Sequence, residues 1–135
     1  MRRIDIAFLL LAAAALLCGV GMGIWMGIAH DFQFGPVHAH LNLLGWTSLA
    51  LFGLTYRAWP EMAQSRLAAA HFLLAAPSAV LFPIGIALSI TGVTIVVAIA
   101  ASLAWLLAVA LFLAGLVRVA FAPAPRLVPR ALPAE

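Results

Sequence analysis

The stretch LAAAHFLLAAPSAVLFPIGIALSITGVTIVVAIAASLAWLLAVALFLAGLVRVAF, from Leu67 to Phe121, decides the fold. It contains no aspartate, glutamate or lysine, and Arg118 is its only arginine. A run of about 20 apolar residues crosses a bilayer core as a helix. The stretch therefore holds two crossings joined by one sharp turn, and Thr91-Gly92 supplies the turn. Spans are predicted over 67–90, with Pro77 and Pro83 inside, and over 93–121. Working back towards the N-terminus, the same criterion predicts spans over 37–59 and 6–29. The expected fold is all-α, an integral membrane bundle of four transmembrane helices forming one domain over 1–135. Pro123, Pro125, Pro129 and Pro133 mark an irregular tail.

The composition agrees. Of 135 residues, 67% are apolar and 8% are charged, against roughly 45–50% and about 25% in a soluble domain. Four acids and seven bases cannot cover a water-soluble surface, and so apolar a chain does not stay disordered. The net charge of +3 comes from arginine alone. With no soluble portion to display it, that charge speaks for membrane orientation, and no nucleic-acid partner is expected. Cys18 is the single cysteine, which excludes an internal disulfide and a cysteine-based metal site.

Arginine placement sets the orientation. Arg2 and Arg3 precede the first span, Arg57 and Arg66 bracket the loop after the second, and Arg118, Arg126 and Arg130 follow the fourth. All fall on one side of a four-span arrangement. The positive-inside rule puts that side, with both termini, in the cytoplasm. The segment His30 to Val37 and the Thr91-Gly92 turn then face outward. The N-terminal run is longer than a signal-peptide core and lacks a small-x-small cleavage site, so it is read as a retained span.

Histidine carries the chemistry. His30, His38 and His40 gather at the predicted outer end, whereas His71 lies near the cytoplasmic side and is read as a partner of a backbone carbonyl or of Ser65. His38 and His40 stand two residues apart, about 200° around a helix, so their rings address opposite neighbours. Ionisable groups inside spans are usually functional, and neutral imidazole is a preferred ligand of haem iron, copper and zinc. Gly19, Gly23 and Gly27 form consecutive G-x-x-x-G steps for close helix packing. Gly45 and Gly53 on the second span leave room for a flat macrocycle or for a neighbouring helix, and Met26 is read as core filling.

The stretch Phe34-Gly35-Pro36-Val37-His38-Ala39-His40-Leu41-Asn42-Leu43-Leu44-Gly45-Trp46, continuing through Phe52-Gly53-Leu54-Thr55-Tyr56-Arg57 to Pro60, resembles a helix of the haem–copper oxidase catalytic subunit. The likeness is closest to the nitric oxide reductase and cbb-type branches, and it covers about 30 of the 135 residues. It implies that this chain is similar to one four-helix arc of that subunit, with its His-x-His helix second. It further implies haem b held by His38 and His40 as iron ligands, the only two positions it supplies; beside it, His30, Asn42 and Gly45 are expected around the cofactor. The chain has no second histidine cluster for copper, and Tyr56, its sole tyrosine, lies at the opposite membrane face. One chain therefore does not rebuild a binuclear oxygen-reducing centre.

The resemblance and the arginine- and alanine-rich composition imply a bacterial inner (cytoplasmic) membrane protein in electron transfer or gas (NO, O₂) binding, with a redox partner. A homotrimer would pair His38 of one protomer with His40 of the next around haems at the subunit seams. Two other readings stand beside this one. His30, Asp31, His38 and His40 would together make an outer-face copper or zinc site, or the chain would be a structural accessory subunit without a cofactor.

Overall fold

The structure is a computed structural model that describes residues 3–122. Arg2, Arg126, Arg130 and the prolines of the tail lie outside the described residues. Among the described residues all regular structure is helical. The first helix, α1, spans Ile4–Ala29. A second helical run then passes through α2 (Gly35–His40), a π-helix (Leu41–Ser48) and α3 (Leu49–Ala58). The short α4 (Pro60–Ala63) leads into α5 (Arg66–Ile90) and α6 (Val96–Ala120). Three of these, α1, α5 and α6, are long and apolar enough to cross a membrane. The stretch expected as a span over 37–59 is helical but not uniformly α, because its middle widens into the π-helix.

Helix boundaries follow from local chemistry. Ser65 opens α5, its hydroxyl accepting the Ala68 N–H at 3.2 Å, which satisfies one of the donors that a helix start leaves unpaired. At the other end the chain reverses as the sequence predicts. Val93 N–H donates to Leu88 O at 2.9 Å and Gly92 N–H to Ser89 O at 3.1 Å, the Schellman pattern. The pattern places Gly92 at φ 74, where a side chain meets the backbone. Gly92→Ala is expected to cost about 1 kcal/mol, read as a lower unfolding midpoint in detergent with unchanged helix content. α5 runs unbroken through Pro77 and Pro83.

Glycines set how closely the helices approach. A Cβ on Gly19 would stand 2.6 Å from the Asn42 amide, and one on Gly23 would stand 3.0 Å from His38 Cε1. The first G-x-x-x-G step is thus spent inside the chain, seating the imidazole-bearing run on α1, whereas Gly27 faces open space. Gly45 and Gly53 meet α1 as well, through Ala15 Cβ at 2.7 Å and Phe8 Cβ at 3.2 Å from the built positions. In the α5–α6 hairpin, a Cβ on Gly85 would lie 2.6 Å from Ala98 Cα.

The core concentrates at one end, around Phe8, Phe52, Tyr56 and His71. Arg3, Arg57, Arg66 and Arg118 all stand at that end, at the start of α1, the end of α3, the start of α5 and the end of α6. Arg57 pairs with Asp5 at 3.3 Å across α1 and α3. Elsewhere the outward faces of the long helices are lined with leucine, isoleucine and valine, the distribution expected of helices solvated by lipid. Met26 is buried, as core filling requires.

Candidate functional site

The three histidines predicted at the outer end do not converge. His30 is the left-handed C-cap of α1, with φ 51, and is exposed. His38 and His40 both sit in the last turn of α2 but leave it in different directions. His38 packs on Gly23 of α1. His40 turns towards α5, where its ring stands 5.0 Å from that of Phe82. This divergence is the one the two-residue spacing predicts. Among the described residues no three side chains of histidine, cysteine, aspartate or glutamate form a group able to hold a metal ion. The quartet His30, Asp31, His38 and His40 is therefore not assembled within one chain. Asp31 instead accepts the Gln33 N–H at 3.0 Å, closing its own turn.

The two helical imidazoles differ in their hydrogen bonds. His40 Nδ1 lies 2.8 Å from the carbonyl oxygen of Pro36. A carbonyl only accepts, so Nδ1 carries the ring proton and Nε2 keeps its lone pair. Imidazoles that bind iron, zinc or copper are commonly held in this way, with the second nitrogen anchored on a carbonyl. His38 is engaged from its own helix. Asn42 Nδ2 donates to His38 O at 2.8 Å and stands 3.4 Å from His38 Nδ1. An amide N–H facing Nδ1 makes that nitrogen an acceptor and leaves the ring proton on Nε2. Asn42, expected beside the cofactor, thus holds His38 while filling the notch at Gly19.

Gly45 borders an apolar cleft of about 560 Å³ between α1, the second run and α5, with Leu11, Cys18, Leu41, Pro83 and Thr91 also on its walls. Neither His38 nor His40 lines it. The space at Gly45 itself is taken by Ala15, so the glycine brings α1 close rather than opening a slot.

The most enclosed polar group is elsewhere. His71 is fully buried, and its Nδ1 is hydrogen-bonded to the Tyr56 hydroxyl at 2.9 Å. Its ring lies among those of Phe52, Phe8 and Phe112, with centroids at 4.6, 5.2 and 5.4 Å. Nε2 is buried without a partner. The expectation of a carbonyl or Ser65 partner is corrected here, since Ser65 bonds Met62 O and the Ala68 N–H.

No protein-family model, curated protein or solved structure matches the chain, so the likeness of the His-x-His run to an oxidase helix rests on its own residues alone.

Proposed function

We propose that the protein binds haem b in a bacterial inner membrane, with four spans and both termini in the cytoplasm, and that His40 supplies an axial imidazole. The observation that carries this reading is the 2.8 Å contact from His40 Nδ1 to Pro36 O, which presents Nε2 as a pre-oriented, unprotonated donor. The helical run Gly35–Ala58 serves as the fourth span. At about 1.5 Å per residue it is long enough to cross a hydrocarbon core, and it places the histidines at the end away from the arginines.

Because the two imidazoles address different neighbours, a haem held by two histidines would take the second from another copy: the exposed His30, or His38 once its ring proton moves to Nδ1 and the contact with Asn42 is given up. Three copies closing into a ring provide such seams. The bound haem supplies one-electron redox chemistry, and the chain contributes ligand geometry and an apolar surround. The role that fits is electron transfer to or from a redox partner, or gas binding where one axial position stays open.

A visible spectrum of the detergent-purified protein tests the proposal, taken oxidised, then dithionite-reduced, then with carbon monoxide. Sharp reduced bands are expected, and His40→Ala should abolish them. Parallel His38→Ala and His30→Ala variants identify the second ligand. A carbon monoxide shift marks an open position, and no shift marks a six-coordinate iron. A featureless spectrum from haem-replete cells, or bands untouched by His40→Ala, would overturn the reading.

A further inference from the structure

At the arginine-bearing end, the first two turns of α1 and α5 leave a groove of about 230 Å³ between them, lined by Arg3, Ile4, Ala7, Ala69, Phe72 and Leu73. Its walls are apolar except at the mouth, where Arg3 stands. Arg66 crowns the opposite wall: on α5 it is three residues before Ala69 and seven before Leu73, hence on the same helix face. Both arginines are exposed. Asp5, the acid nearest this mouth, is engaged by Arg57 at 3.3 Å and stands at 4.0 Å from Arg3. Arg3 keeps 67% of its side chain exposed, so its guanidinium has donors to spare for an outside anion. Leu73, the lining residue farthest along α5 from Arg66, is 71% exposed. The groove thus has a cationic mouth with two arginines and an apolar shaft running about 10 Å inward along the helices.

We propose that this groove binds one anionic phospholipid, its phosphate between Arg3 and Arg66 and the upper part of one acyl chain along Ala69, Phe72 and Leu73. The occupant follows from charge and polarity together. A zwitterionic headgroup brings an ammonium beside two guanidinium groups, and a free anion leaves the apolar shaft empty. An anionic lipid satisfies both parts, and basic residues at a membrane surface gain about 1 kcal/mol each from anionic headgroups.

The test is native mass spectrometry of the full chain in mild detergent, titrated with phosphatidylglycerol or with phosphatidylcholine of the same acyl chains. One phosphatidylglycerol per chain is expected at concentrations where phosphatidylcholine is not retained. The Arg3→Ala/Arg66→Ala variant should bind it about tenfold more weakly or worse. Ala69→Phe, which blocks the shaft and keeps both arginines, should lose retention as well. Arg118→Ala removes a cation from the same end, away from the groove, and should bind as the parent does. Because Arg3, Arg66 and Ala69 are all exposed, the core is untouched, and circular dichroism confirms the fold of each variant. Three results each overturn the proposal: equal retention by the double variant, equal loss in Arg118→Ala, or displacement of the lipid by glycerol phosphate at matched concentration.

Discussion

Tyr56→Phe and His71→Leu should each destabilise the protein, and the two together should cost far less than their sum. The Tyr56 hydroxyl and His71 Nδ1 satisfy one another at 2.9 Å in a site where Tyr56 is 2% and His71 0% exposed. Removing the hydroxyl leaves an imidazole with both nitrogens unpaired, since Nε2 already lacks a partner. Removing the imidazole strands the hydroxyl among phenyl rings. A buried polar group deprived of its partner costs about 1–3 kcal/mol in soluble proteins, and hydrogen bonds between membrane helices average about 0.6 kcal/mol. The dry aromatic surround places this pair above that average, at about 1–2 kcal/mol for each single change. In the double variant no polar atom of the pair remains, and leucine takes up much of the imidazole's volume. A cost within about 1 kcal/mol of the parent is expected there. Unfolding in detergent micelles measures all four proteins. Additive single effects would show that the two groups do not share a bond.

Gly85→Ala should be the most damaging single methyl group among the helical glycines. The added Cβ meets the backbone of α6, 2.6 Å from Ala98 Cα, and backbone cannot turn aside as a side chain does. Separating the two helices gives up their close packing along the hairpin, at about 3 kcal/mol, the upper end of the range for overpacked sites. Two comparisons isolate the cause. At Gly115 the nearest obstacle is the flexible tip of Met62, 2.6 Å away, so alanine there should cost under about 1 kcal/mol. At Gly27 nothing lies within 4 Å, and alanine should stabilise by a few tenths up to about 1 kcal/mol through helix propensity. If Gly85→Ala unfolds no earlier than Gly27→Ala, the close approach of α5 and α6 is wrong.

What could be read in advance was whatever depends on the chain's own periodicity. The α5–α6 hairpin was legible because bilayer thickness fixes helix length and because Thr91-Gly92 is the one break in the apolar run. The divergence of His38 and His40 was legible because it is a property of the helix alone. Pairings between helices were not. His71 could be placed near the arginine-bearing end, but its partner depended on which faces α3 and α5 turn to one another, and apolar helices with little amphipathic contrast do not announce their faces. The sequence places Asn42 in the cofactor's surroundings. Its role in holding His38 against Gly19 and Gly23 depends on α1 occupying that side, a contact between helices. The bonding of His40 to Pro36 was within reach, since both lie in one helix four residues apart.

The π-helix from Leu41 to Ser48 has a mechanical consequence. Its wide turns hold more residues than α turns, and Ser48 Oγ donates to Leu43 O at 2.8 Å within them. Each surplus residue offsets the two ends of the run by about 100° relative to an unbroken α-helix. The run Gly35–Ala58 therefore turns its two ends to different neighbours than one continuous α-helix would: His38 is set against Gly23 of α1 at one end, and Tyr56 against His71 of α5 at the other.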